Sequence, residues 1–403
     1  MKISNYKNST LLCLALLALP ISDVIAENSS EKSDNTFKFY GDLRLRYETV
    51  NQDNALADAD GLTLRTRLGL KTPSRAGFSG VVELENSLSI IDDFSVPPTG
   101  DRVGEFSVIA DPETTELDQA FVQYKSDTLS AKLGRQIFTL DGHRFVGHVG
   151  WRQDRQTFDA LVVDYKPKGG FNINFSYIDQ RNRIFSDEAD IESSDTLVNT
   201  SYVTSIGKLT AYLYLLEVDS VTNNSLDTFG VSLRGSKKSG ETNISYGAEF
   251  ASQENGADLE TEYLQLEVGV SHAGITGKIA YELLGTDDGQ VGFATPLATL
   301  HKFNGWSDRF INTPSAGLQN LSFTLGGKFK GGKWLAVYHD FSSDDSVDGL
   351  DDLGSEINLQ YTRPFTKSIS GGVKFADYSA GDQVFNQVDT QIAWLWASYK
   401  FNK

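Results

Sequence analysis

Residues 37–49, FKFYGDLRLRYET, and 61–72, GLTLRTRLGLKT, decide the fold. In the first, Phe37, Phe39, Gly41, Leu43, Leu45 and Tyr47 share one parity, and Lys38, Tyr40, Asp42, Arg44, Arg46 and Glu48 share the other. In the second, Leu62, Leu64, Leu68 and Leu70 alternate with Arg65, Arg67 and Lys71. A period of two places successive side chains on opposite faces of a β-strand. The pattern recurs in FNINFSY (171–177), KLTAYLYL (208–215), TFGVSLRG (228–235), NISYGAEF (243–250), EYLQLEVGV (262–270), ITGKIAYEL (275–283) and SEINLQY (355–361). No segment carries a persuasive helical period, so the chain reads as all-β.

Alternation alone fits a soluble sandwich or a membrane barrel. The connections separate them. Tight turns fall near 73–77, 126–127, 166–170, 207, 235–240, 272–274, 331–332 and 364–366. Between them lie longer polar links at 50–60, 88–116, 138–156, 180–195, 217–226, 252–260, 285–318, 342–353 and 379–387. Short turns alternating with long loops around an even count of about eighteen strands predict a transmembrane antiparallel β-barrel with periplasmic turns and extracellular loops.

Energetics assign the faces. An arginine on the lipid side near the midplane costs about 2–4 kcal/mol. Four of them, Arg44, Arg46, Arg65 and Arg67, would cost about 8–16 kcal/mol, as much as the whole stability of an ordinary fold. The leucines therefore face lipid and the arginines face the lumen. The C-terminal AWLWASYKF supplies Leu395, Ala397, Tyr399 and Phe401 as one apolar set for a closing strand, with Trp394 and Trp396 on the other face.

The bulk numbers agree with export. Residues 1–26 read as a signal peptide: Lys2 and Lys7 precede an apolar run from Leu11 to Leu19, and Val24-Ile25-Ala26 suits cleavage. Residues 27–403 are then one barrel domain in the outer membrane, in contact with its lipid and lipopolysaccharide and expected to be a monomer. The single cysteine, Cys13, lies in the leader, which leaves no thiol for a disulfide, zinc cluster or nucleophile. The net charge of -18 argues against nucleic acid as a partner.

Inside the lumen the charge is uneven. Arg44, Arg46, Arg65, Arg67 and Lys71 come from the first two strands, and GHRFVGHVGWRQDRQTFDA (142–160) adds Arg144, Trp151, Arg152 and Arg155 from a loop between the fifth and sixth strands. Arg135 shares parity with Leu133 and joins the lumen only if Gly134 forms a bulge. The segment 294–310, ATPLATLHKFNGWSDRF, contributes Trp306 and Arg309 with His301 and Lys302. These residues are the candidate substrate contacts: guanidiniums pair with carboxylates in two-point fashion, and aromatic faces suit sugar rings. The same arginines can instead brace the wall against Asp42, Glu48, Glu83 and Glu85, and both readings stay open at this stage. Likewise, the two glycine-rich segments either narrow the lumen or pack on themselves as a plug.

RFVGHVGWRQDRQTFDAL (144–161), preceded by KLGRQIFTLDGH (132–143), together with FATPLATLHKFNGWSDRF (293–310), LAVYHDF (335–341), YGDLRLRYE (40–48) and GLTLRTRLGL (61–70), resembles the alginate export family of outer-membrane porins. The resemblance covers nearly the whole chain beyond the leader. It implies an eighteen-stranded barrel and a lumen suited to anionic oligo- or polysaccharide. Members do not all export alginate, so polymer and direction are not implied.

The alternatives are a general diffusion porin, a non-conducting surface barrel (adhesin or structural wall) and an outer-membrane hydrolase. The last would use His339 with Ser342 or Ser343, a weak signal without a nucleophile elbow. No cofactor is expected. The acidic stretches Asp187, Glu188, Asp190, Glu192 and Asp344, Asp345, Asp348, Asp351, Asp352 could hold calcium, but read better as solvated outer loops.

Overall fold

The structure, a computed structural model, describes residues 36–219 and 224–402. The expected leader, residues 1–26, lies outside them. Eighteen antiparallel strands form one sheet. In chain order they are β1 (Lys38–Gln52), β2 (Ala59–Lys71), β3 (Phe78–Asp93), β4 (Thr114–Lys125), β5 (Leu129–Gln136) and β6 (Thr157–Tyr165). There follow β7 (Phe171–Asn182), β8 (Ile191–Thr204), β9 (Gly207–Leu216), β10 (Leu226–Ser239), β11 (Thr242–Asn255) and β12 (Glu260–His272). The last six are β13 (Ile275–Leu284), β14 (Leu318–Phe329), β15 (Gly332–Val347), β16 (Leu350–Pro364), β17 (Ile369–Ser379) and β18 (Thr390–Asn402). Each strand pairs with its sequence neighbours, and β1 also pairs with β18, Leu45 opposite Ala397 and Gly41 opposite Phe401. That last ladder closes the sheet and leaves no edge to be satisfied in lipid.

The two faces sort as the alternation requires. Leu45, Tyr47, Leu68, Leu84, Leu133, Leu395 and Tyr399 are exposed on the outer wall, whereas Arg44, Arg46, Glu48, Arg65, Arg67, Glu83 and Glu85 are buried inside. Trp394 and Trp396 share the inward parity of the buried Ile392.

Connections at the end carrying the chain termini are short, as at 126–128 and 273–274, and mark the periplasmic side. The opposite end holds the longer loops, with two corrections. The segments expected as loops at 252–260 and 342–353 are mostly strand. β11 and β12 are joined by 256–259 alone, and β15 runs on to Val347 before an Asp348-Gly349 turn. Both turn residues have positive φ, the geometry of a two-residue hairpin. The aspartates there read as loop because their composition is polar, but on an extended hairpin clear of the bilayer both faces meet water.

Loop 3 (137–156) and loop 7 (285–317) enter the barrel and dock on one another. The Gly147 N–H donates to Leu297 O at 2.8 Å, and the Thr299 N–H to His143 O at 3.1 Å. Phe145 of loop 3 inserts among Tyr212, Tyr214, Tyr263 and Phe293, with ring centroids 5.2–6.1 Å away. One half of the interior is therefore an apolar core, built from inward wall tyrosines and loop aromatics. The other half is charged.

Candidate functional site: the lumen between loop 3 and the periplasmic mouth

β1 and β2 stand side by side, with Arg44 opposite Arg65 and Asp42 opposite Arg67. This pairing collects like charges on one patch of wall, and loop 3 answers them. The Arg44 guanidinium donates to the carbonyls of Trp151 (2.7 Å) and Arg152 (2.6 Å) and to Gln153 Oε1 (2.9 Å). Arg46 donates to the Trp151 carbonyl and to the Asp111 carboxylate, and lies 3.1 Å from Glu48. Arg67 bonds the Glu85 carboxylate and the Gln153 carbonyl (3.2 Å). Three of the four wall arginines thus hold loop 3 in place.

The loop's own arginines reach outward in the same way. Arg152 pairs with Glu48 (3.1 Å) and Asp308 (2.6 Å), tying together loop 3, β1 and loop 7. Arg155 pairs with Glu83 and Asp118. Asp118 is the extra residue of a bulge, since Glu83 faces Gln119 and Leu84 faces Leu117, and the bulge aims its carboxylate at the loop. Arg144 pairs with Glu282 at 2.6 Å and donates to Thr295 Oγ1 at 2.9 Å. The bracing reading therefore holds for Arg46, Arg65, Arg67, Arg152 and Arg155, while Arg44 holds the loop 3 backbone and Arg144 is braced by Glu282 instead.

One expectation is corrected. Arg135 does not join the lumen: the pairing of β5 with β4 and β6 runs through Gly134 without a slip, so Arg135 keeps the parity of the exposed Leu133. It pairs instead with Asp159 at 2.8 and 2.9 Å. Arg309 lies apart from the arginine wall and donates to Gln387 Oε1 at 3.0 Å, joining loop 7 to the 380–389 loop.

Trp151 and Trp306 come together around a residue the alternation argument passed over. The Nζ of Lys374, on β17, lies 4.3 Å from the Trp151 ring centroid, 4.1 Å from that of Trp306 and 5.0 Å from that of Trp394. Such spacing is that of a cation held by aromatic faces. Its inward parity in VKFADY could have flagged it; the closeness of three tryptophans from three separate segments could not.

Below loop 3, toward the periplasm, a cavity of about 930 Å³ opens. It is bordered by Arg44, Arg65, Arg67, Arg155, Lys367 and Lys400, against two carboxylates, Asp42 and Glu83. His148 of loop 3 also borders it, and burial, then Arg155, holds its imidazole down at about 4, so it adds no charge near neutrality. Arg65 bonds Asp42, and its buried Nε and Nη1 groups have no hydrogen-bond partner among the described residues. Lys400 is 73 % exposed and 3.7 Å from Asp42. The alternation places Trp396 on the inner face of the closing strand without a role, and does not single out Lys367 or Lys400. Lys400 and Trp396 share the inward parity of β18, which was the available signal.

Among the described residues no group of three or more His, Asp or Glu side chains is placed to hold a metal ion. Asp344, one of the acidic residues considered for calcium, instead accepts from the Thr286 N–H (3.2 Å) and braces loop 7. His339 stacks on Phe341 inside the barrel and contacts Asn320 at 3.0 Å, away from the outer face a lipid hydrolase would use.

A family profile described as alginate export matches residues 36–278, more than half of the chain. No curated protein matches the chain in sequence. Among solved structures, Acinetobacter baumannii OccAB4 is similar with a TM-score of 0.69 at 13% identity, over 93% of this chain and all (100%) of the other. Pseudomonas aeruginosa OccK9 (OpdG) gives 0.71 at 14% identity, over 91% of this chain and 98% of the other. Pseudomonas aeruginosa OpdK, solved with vanillate, gives 0.70 at 11% identity, over 91% and 99% of the two chains. At such identities the likeness is one of fold.

Proposed function

The chain belongs to the alginate export family of outer-membrane barrels, and from that premise we propose that it passes anionic solutes, uronate-type oligo- or polysaccharides such as alginate, through its basic lumen. It is an outer-membrane channel and not an enzyme. The observation that carries the solute reading is the charge of the vestibule under loop 3, six cationic side chains against two carboxylates. In a narrow low-dielectric space such an excess concentrates anions and repels cations. The closed apolar outer wall supports a monomer embedded in outer-membrane lipid and lipopolysaccharide. No cofactor takes part in this reading.

A second reading is favoured by the docking of loops 3 and 7 inside the barrel, which narrows the passage: single ring-bearing carboxylates rather than polymer chains. OpdK, of the same fold, was solved with vanillate, a molecule of that kind.

The charge reading is tested by the reversal potential in a potassium chloride gradient. The native channel is expected to prefer chloride, and Lys367→Gln with Lys400→Gln is expected to lower that preference. A native channel that prefers potassium would overturn it. Block of the current by alginate oligomers, with neutral glucans inert, supports saccharide; block by vanillate alone supports the second reading.

A further inference from the structure

The inward face of β18 carries Trp396, Ser398 and Lys400 in succession toward the periplasmic mouth, all bordering the vestibule. Trp396 pairs across the ladder with Gly372 of β17. A methyl group on Gly372 would fall 2.6 Å from the six-membered ring of the indole. The ring is therefore seated on bare backbone and lies along the wall, an arrangement only glycine permits there. Trp151 meets Trp396 edge-on, with centroids 5.2 Å apart and planes at 89°, and fixes the other side of the seat. The result is a rigid aromatic surface at the edge of a cavity whose size lies in the range of about 300–1,000 Å³ found for small-molecule sites.

Two cations border the same cavity, with the Asp42 carboxylate between them. Arg65 is bonded to Asp42 and its other guanidinium nitrogens are buried, whereas Lys400 is largely in solvent, 3.7 Å from the same carboxylate. The negative face of an indole attracts the C–H bonds on one face of a pyranose, while a guanidinium or ammonium beside it takes a carboxylate. A neutral sugar would find the stacking surface and leave the exposed Lys400 ammonium with Asp42 alone. A small acyclic carboxylate would answer the cations and leave the ring bare.

We propose that Trp396, seated on Gly372, with Lys400 farther along the same inward face, is a periplasmic-side subsite in which the indole stacks one pyranose ring of an oligouronate while the ammonium pairs the carboxylate of another. The inference rests on the anionic reading of the lumen and adds a site, a side of entry and a ring requirement. Trp396 and Lys400 are four residues apart on an extended strand, about 13 Å. They therefore engage separate rings of an oligomer rather than one sugar.

The test is block of single-channel current by trigalacturonate, compared with maltotriose (ring without charge) and tricarballylate (charge without ring). Trigalacturonate is expected to block from the face that bears the chain termini, and about tenfold more tightly than either comparator. Trp396→Ala is expected to weaken that block by about tenfold, Gly372→Ala to weaken it by unseating the ring, and Trp396→Phe to retain most of it. Lys278→Gln, on β13 five strands around the barrel, removes an equal charge and is expected to leave the block within about twofold, as a purely long-range effect would not. Equal block by tricarballylate, or native block in Trp396→Ala and Gly372→Ala, overturns the subsite. A potassium-preferring native channel overturns the anionic reading beneath it, so the two failures are told apart.

Discussion

The Nζ of Lys374 lies 2.6 Å from Nε2 of His301, and the Nδ1 of the same imidazole lies 2.7 Å from Asp308. The Asp308 carboxylate can only accept, so the ring proton sits on Nδ1 facing it, and Nε2 accepts from Lys374. His301 belongs to loop 7, Lys374 to the wall and Arg152, on the other side of Asp308, to loop 3. Glu48, with Arg46 beside it, completes the set of charges around the ring. The neutral imidazole thus joins both inserted loops to the barrel.

Acid is therefore expected to loosen these loops. Burial, opposed by Asp308 and helped by Lys374, holds His301 at about 4 when docked. Undocked, it would titrate near 6.5. Between those values the undocked form binds more protons, so docking is strongest above about pH 6.5 and weakens as pH falls toward about 4. His148 of loop 3, also held at about 4, acts in the same direction. Asp308 lies below the usual carboxylate range, because His301 and Arg152 outweigh its burial, and adds to the loss only at lower pH. Current noise and protease cleavage of loop 7 should rise across this window. His301→Gln keeps a donor and an acceptor without a titration and should flatten the rise; an unchanged pH profile in that variant would contradict the latch.

Among the described residues Arg44 has no carboxylate partner, and it uses its donors on the backbone of loop 3 and the Gln153 side chain. Replacing it by alanine leaves the carbonyls of Trp151 and Arg152 short of a charged donor, at about 1.5–3 kcal/mol for each such bond. Arg44→Ala should lower the heat-unfolding temperature of the barrel and raise channel conductance as the loop shifts. Arg44→Lys, with charge but no planar fork, should recover little of either. Native conductance in the alanine variant would show that loop 3 is held from elsewhere.

Arg135 offers the opposite expectation. Its pair with Asp159 is partly exposed and away from the vestibule. Such pairs contribute about 0–1 kcal/mol. Arg135→Gln should leave the reversal potential unaltered and stability within about 1 kcal/mol of native. A drop in chloride preference would place this side chain on the solute path after all.

The barrel was legible because its determinants are local. Alternation in 37–49 fixes which side chains face lipid, and turn spacing fixes strand number, both read without knowing any partner. The inward course of loop 3 was legible only as a possibility, since its cause is a set of contacts between residues about a hundred positions apart, such as Arg44 with Gln153. Arg135 was left conditional on Gly134 because a glycine at φ +120° can either bulge or continue a strand, and the register decides. Lys374 went unnoticed for a related reason. An inward lysine is common in a barrel lumen, and only folding brings Trp151, Trp306 and Trp394 around it.

Glu48 gives the most direct measure of how far the charged half of the interior acts as one unit. It is 2 % exposed and lies within 3.1 Å of both Arg46 and Arg152. Neutralising a buried carboxylate leaves two guanidiniums facing each other with less to separate them, at a cost of about 3–5 kcal/mol. Glu48→Gln should therefore lower the unfolding temperature sharply, read by loss of the heat-modifiable band on electrophoresis. Arg152→Gln alone should do likewise, by leaving Glu48 and Asp308 underpaired. Combining them removes one charge of each sign, so the double variant should lose less than the two losses added, with a coupling of about 1–3 kcal/mol. Simple additivity would mean that loop 3, loop 7 and β1 are stabilised independently and that the network of Arg46, Glu48, Arg152 and Asp308 is no more than a set of separate contacts.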